Sequence, residues 1–199
     1  MGNRPACSVI LLLSAGLLAS CGGGTPRDID PGATSPVSPG AQAFHAHGIS
    51  FAYPGSWNVL PIPTPSGPDP AGALFRDAVG LDELNNVLVN VFGSHVRVTP
   101  EYFAAHRTEV ESDTEAFLQA LGVKLEGSPE PISVAGLPGL RWRISIPTTI
   151  GYVVEGTASV VFRVTTRYVI DCTHLVDQAN AIEQGCEQIL QSFAVEAAA

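Results

Sequence analysis

Along residues 43–53 the apolar side chains alternate loosely around Phe44, Ile49, Phe51 and Tyr53, predicting a strand with a turn near Gly48. Pro54-Gly55-Ser56 reads as a turn and residues 57–62 as extended, ahead of a loop over 61–70 that holds five prolines and one glycine. Residues 73–79 and 86–92 predict two further strands; in the second, Val87, Val89 and Val91 share one face, with Leu88 and Phe92 on the other.

At Thr99-Pro100-Glu101 the period changes. A hydroxyl cap, a proline at the first helical position and an acid in the first turn open a helix. Phe103, Val110, Phe117 and Leu121 then recur at sevens and fours, predicting one helix of about 22 residues that stops at Gly122, with Glu109, Glu111, Asp113 and Glu115 around its other side. Residues 123–134 carry Pro129 and Pro131, which confines any strand there to an edge. Residues 140–146 alternate, with Leu140, Trp142, Ile144 and Ile146 turned in and Arg141, Arg143 and Ser145 turned out. Residues 152–163 and 167–172 read as two antiparallel strands around a turn near Thr165-Thr166. A final helix over 176–193 puts Ala179, Ile182, Cys186, Ile189, Leu190 and Phe193 on one face. Two amphipathic helices need a sheet to cover, so the order predicts an α+β fold, an antiparallel β-sheet flanked by helices.

The N-terminus departs from this pattern. Arg4 precedes an apolar run over residues 6–18 that is too short for a membrane span, which takes roughly 20 residues. The run ends in Leu18-Ala19-Ser20-Cys21, which resembles a bacterial lipobox, in which the Cys21 thiol takes up diacylglycerol. Cleavage before Cys21 leaves an amine open to a further acyl chain such as palmitate, and two chains anchor stably where one is marginal. The expected organisation is a lipoprotein signal peptide at 1–20, a disordered Gly/Pro/Ser/Thr tether at 21–42 and one α+β domain at 43–199. The expected location is extracytoplasmic, on the outer face of the cell membrane.

Composition narrows the chemistry. Ten basic against nineteen acidic side chains give a formal charge of -9, which repels phosphate backbones and makes nucleic acid a poor partner. Lys124 is the only lysine against nine arginines, and with abundant Ala, Gly and Pro this points to a GC-rich genome such as an actinobacterium. Of four cysteines, Cys7 leaves with the leader and Cys21 carries lipid. Cys172 and Cys186 remain, and in an oxidising compartment they are expected to form a disulfide that staples the last helix to the sheet.

Phe51-Ala-Tyr53-Pro54-x-x-Trp57 resembles the strand-turn signature of PsbP-like and Mog1-like domains, and Tyr168-Val169-Ile170-x-Cys172 with Ile189-Leu190-x-Ser192-Phe193 resembles their C-terminal strand and helix. With the lipobox and the paired cysteines, the chain looks most like the LpqN and LpqT type lipoproteins of actinobacterial envelopes, over residues 44 to 195. The resemblance implies a Mog1/PsbP-like α-β-α sandwich, no known catalytic set and a binding or accessory role, in some cases linked with envelope lipids.

Candidate sites are few. Tyr53 and Trp57 could line a ligand pocket, although such rings more often plug a core. Arg141 and Arg143, with Arg163 and Arg167 on later strands, could grip a carboxylate, a phosphate or a sugar-lipid headgroup, although pairing with Glu155 and other acids fits better. His45 and His47 could be half of a metal site, completed by His95, His106, His174 or a carboxylate, but two exposed histidines on an edge strand fit better, and no metal or cofactor is expected. No G-x-S-x-G, H-E-x-x-H, phosphate loop or G-x-G-x-x-G occurs. The expectation is a non-enzymatic, membrane-tethered module that binds an envelope amphiphile or a membrane protein; the competing reading is a metal-dependent or hydrolytic envelope enzyme. A hydrophobic cleft between sheet and helices would favour the amphiphile.

Overall fold

The computed structural model describes residues 27–28, 40–62, 69, 71–148 and 151–196. The signal peptide at 1–20 and the lipidation site at Cys21 lie outside them. Within the expected tether, β1 (Arg27–Asp28) pairs parallel with Ile132 and Ser133.

Strands β2 (Gln42–Ala46) and β3 (Ile49–Tyr53) form a hairpin, reversing at His47-Gly48, both with positive φ. β3 buries Ile49, Phe51 and Tyr53 on one face, as its alternation predicts. β4 (Asn58–Leu60), β5 (Ala73–Gly80) and β6 (Asn86–Val98) follow as an antiparallel set. β7 (Lys124–Val134) and β8 (Leu137–Pro147) form the next hairpin. Its bulge lies between Glu126 and Glu130, a stretch that includes Pro129, and beyond β7 the two residues of β1 alone continue the ladder among the described residues.

β9 (Val153–His174) is one run of extended residues folded back on itself. Its first half pairs with β8 and its second with β6, while Gly156 lies so close to the Cys172 carbonyl that a Cβ there would overlap it. The reversal falls at Val164, φ 55°, the exposed end of the pair. It therefore holds the two antiparallel strands expected around Thr165-Thr166. The main sheet runs β1-β7-β8-β9-β6-β5-β4, β9 filling two adjacent places; a small sheet runs β10-β3-β2, where β10 is Ala194–Val195.

The long helix expected over 100–121 is two helices, α1 (Pro100–Ala105) and α2 (Arg107–Ala120), broken at His106. Thr99 caps the first, its hydroxyl accepting from the Tyr102 N–H. After Phe103 the helical period calls for an apolar side chain near 106 or 107, where the chain supplies His106-Arg107; residues 104–109 are all exposed. The break lets this polar stretch face water while Phe103 and Val110 each reach the sheet. The buried face of α2 is Val110, Thr114 and Leu118, with Phe117 and Leu121 beside it. Thr114 is tolerated there because its hydroxyl donates to the Val110 carbonyl at 2.6 Å. The last helix is shorter than expected: a 3-10 turn (Val176–Gln178) leads into α3 (Ala179–Ser192), which buries Ile182, Gly185, Cys186, Ile189 and Leu190.

The two faces of the main sheet carry separate hydrophobic clusters. Val87, Val89, Val91, Tyr168, Ile170 and Cys172 pack under α3 and the small sheet, where the Cys172–Cys186 disulfide joins β9 to α3. Phe92, Leu140, Trp142, Ile144, Val160 and Phe162 pack under α1 and α2. The fold is α+β, an antiparallel sheet between two covering layers.

Candidate ligand-binding site

α2 is too short to roof its side of the sheet. Its chain turns away at Leu121-Gly122, and the strands beyond form the floor of a cleft of about 690 Å³. The walls are Phe117, Ala120 and Leu121 at the end of α2, Val123, Ile146 from β8, and Leu88 and Phe92 from β6. The Phe92 and Phe117 rings meet edge to face at 4.9 Å. This volume falls within the range of roughly 300–1,000 Å³ usual for small-molecule sites, and apolar walls are their common lining.

The floor is polar. On β6 and β9, Leu88 lies opposite Asp171 and Asn90 opposite Val169, which makes Asn90 and Asp171 diagonal neighbours on the helix-covered face. The Asn90 amide donates to Asp171 Oδ2 at 3.3 Å. Arg76 of β5 lies opposite Asn90; its Nη2 donates to Asp69 Oδ1 at 2.9 Å, while Nε, 2.9 Å from Asp69 Oδ2, makes an ion pair without hydrogen-bond geometry. Asn90 and Asp171 are buried, yet Asn90 Oδ1 and Asp171 Oδ1 have no hydrogen-bond partner among the described residues. Burial pushes the Asp171 carboxyl up to about 7, against the pull of the Arg76 charge and the Asn90 hydrogen bond. A buried carboxyl beside an open cleft makes this the candidate site.

On the other side of Phe117 a second cleft, of about 410 Å³, lies under α2 between Val96, Val98, Tyr102, Val110 and Phe162. Its charged lining residues are Glu109, Asp113 and Arg167; Arg167 is buried, 2.9 Å from Asp113, donating to Ser94 at 3.3 Å and seated 4.8 Å over the Phe117 ring.

The residues singled out from sequence go elsewhere. Tyr53 and Trp57 are core, 3% and 2% exposed, and neither lines these clefts. The four arginines are not one strip. Arg141 pairs with Glu187 of α3 at 2.7 Å and donates to Ser159. Arg143 lies opposite Glu126 and Thr157, so cross-strand partners and Glu187 surround both with acids. Together with Glu126, Glu155, Glu183 and His174 they line a polar cleft of about 430 Å³ beside the disulfide. Arg163 reaches the Glu196 carbonyl, while Arg167 lies on the opposite face of the sheet. His45 and His47 do not share a side, because His47 sits in the turn, stacked on Phe75 at 4.5 Å. Among the described residues no three His, Cys, Asp or Glu are placed to hold a metal.

No family model matches the chain, and no curated protein matches it in sequence. Solved structures do match in shape. The solution structure of cyanobacterial PsbP (CyanoP) from Synechocystis sp. PCC 6803 superposes with a TM-score of 0.51 over 90% of this chain and 99% of its own, at 16% identity. The fold is PsbP-like. A second match is LpqN of Mycobacterium tuberculosis, described as involved in cell envelope biogenesis, with a TM-score of 0.51 over 79% of this chain and 91% of that one, at 13% identity. A Bacteroides thetaiotaomicron structure matches at a TM-score of 0.51 and 11% identity, this chain spanning about half of its length (49%). At these identities the PsbP-like fold is what is shared, and function has to come from the site.

Proposed function

We propose that the protein is a lipid-anchored, extracytoplasmic accessory module of the cell envelope, of the LpqN/LpqT type, that holds an amphiphile in the cleft between α2 and the sheet. The observation that carries this reading is the cleft itself: about 690 Å³, apolar walls, and buried polar atoms left open on its floor. The lipobox at Cys21 supplies the anchor, and residues 21–42 the connection to the domain. The likeness to LpqN, a protein of envelope biogenesis, supports the setting. Binding fits the cleft better than catalysis. Its acid, Asp171, stands with Asn90 and Arg76, and the described residues that line it bring no Ser, Cys or His beside that carboxyl.

Native mass spectrometry of the domain, oxidised and exposed to extracted envelope lipids, tests the proposal. The expected result is an adduct of defined mass that disappears in Ala120→Trp, a substitution at an exposed position that fills the cleft. A bare protein mass after exposure, or an adduct indifferent to the tryptophan, would overturn it.

A further inference from the structure

We propose that the polar cleft beside the disulfide is a second ligand site, independent of the amphiphile cleft on the opposite face of the sheet, and that it takes the primary ammonium group of a small molecule between His174 and Glu183. His174 ends β9, lines this cleft and is 5% exposed. Its Nδ1 lies 3.2 Å from the Leu175 carbonyl, which can only accept, so Nδ1 carries the ring hydrogen and the neutral ring presents a bare lone pair at Nε2. That nitrogen is out of water and has no hydrogen-bond partner among the described residues. Oε1 of Glu183 on α3 stands 3.8 Å from it, beyond hydrogen-bond reach. Two acceptors thus face each other across a gap with no donor between them.

The rest of the lining sets the charge of the guest. Arg141 and Arg143 stand against Glu126, Glu155, Glu183 and Glu187. Arg141 is taken up by Glu187 at 2.7 Å and by Ser159. Arg143 lies on β8 opposite Glu126, with the first half of β9 between it and His174. One glutamate set against each arginine leaves Glu155 and Glu183 uncompensated, so the cleft carries negative charge. A group that closes the gap has to donate to both sides from one atom. A hydroxyl has a single hydrogen, and water has two but brings no charge to Glu183. An ammonium has three and the charge, and its nitrogen at about 2.9 Å from each acceptor spans the gap. A metal ion fits less well, because no three His, Cys, Asp or Glu among the described residues are placed to hold one.

Imidazole nitrogen shifts of the oxidised, 15N-labelled full-length protein test this at pH 8, where ordinary imidazoles are neutral and alkylammonium groups charged. The probes are ethanolamine, alanine and putrescine, which stand for a lipid head, an amino acid and a polyamine; tetramethylammonium supplies charge without N–H, and Zn2+ the metal alone. The His174 Nε2 resonance should move to saturation with at least one amine, at a concentration lower by about tenfold than tetramethylammonium requires, the equivalent of one charge-assisted hydrogen bond. The amine that saturates lowest names the source. Glu183→Gln, at an exposed position, should raise that concentration about tenfold, whereas Glu109→Gln, the same charge change on the opposite face, should leave it unchanged. An equal response to tetramethylammonium, or equal weakening in both variants, reduces the effect to bulk charge and overturns the site. Movement with Zn2+ and with none of the amines makes the pair a metal site and overturns the ammonium assignment. A resonance that no probe moves overturns the proposal outright, and none of these results bears on the amphiphile cleft.

Discussion

The indole of Trp57 lies directly on Gly185 of α3, occupying the space in which a Cβ at that position would stand. The strand-turn segment that ends at Trp57 and the C-terminal helix are thus fitted by the absence of one side chain. Gly185→Ala should lower stability by about 1–3 kcal/mol, because overlap with a rigid ring outweighs the gain of roughly 1 kcal/mol that alanine brings to a helix interior. Urea unfolding followed by far-ultraviolet circular dichroism checks this; a midpoint at or above the wild type would show that the ring yields freely.

The disulfide on the same face closes a chain separation of 14 residues between Cys172 and Cys186. Replacing both cysteines with alanine should cost about 3 kcal/mol, mainly by releasing the unfolded chain. The protein should still fold, since α3 also buries Ile182, Ile189 and Leu190. Denaturant midpoints of the oxidised wild type and the double variant measure the difference; equal midpoints would mean the bond is structurally idle.

Asp171 makes stability depend on pH in a defined direction. Its folded value is raised from 3.8 to about 7, so between those values the folded state binds more protons than the unfolded one. This group's contribution therefore falls as pH rises through that window and is level above it. Asp171→Asn removes the dependence: its melting temperature should gain on the wild type from pH 5 to pH 8. A gap that stays constant over that range would show that the carboxyl is not held in its neutral form.

The anchor is tested by Cys21→Ser. Without the thiol no diacylglycerol thioether forms, so the variant should escape lipid processing and lose the mass increment of the acyl chains, read by intact mass and by labelling with a radioactive fatty acid. Undiminished labelling would place the lipid elsewhere or show that the label is not an anchor.

Most of the fold is legible in the sequence because the covering layers impose plain periods. The alternation at Leu140, Trp142, Ile144 marks a strand with one face under α1 and α2, and residues 152–172 show the folded-back pair of β9 in the exposed Val164-Thr165 between two apolar runs. The helix break is also written there, at His106-Arg107, but a seven-residue step from Phe103 to Val110 fits one helix as well as two. The cleft leaves no mark in the apolar periodicity. Asp171 occupies the unassigned place in Tyr168-Val169-Ile170-x-Cys172, and Asn90 interrupts Val87–Phe92. A lone acid and a lone amide inside two apolar strands were the available signal. Their register, Leu88 opposite Asp171, is a long-range fact no local pattern states. Tyr53 and Trp57 lie in the core, the commoner place for aromatic area beside a turn.

The separation of the two hydrophobic clusters divides the molecule by compliance. The disulfide and the Trp57–Gly185 fit lie on the α3 side, so that side opens only at high free energy. The α1–α2 layer has no covalent tie to the sheet among the described residues; it is interrupted at His106 and seated by Val110, Thr114 and Leu118. Amide protons of α2 should therefore exchange with solvent well before those of α3, by sub-global openings that leave the sheet intact. Exchange of the proposed amphiphile would then need no unfolding of the domain. The helix beside the cleft can lift while the sheet that carries Asn90 and Asp171 stays clamped from behind.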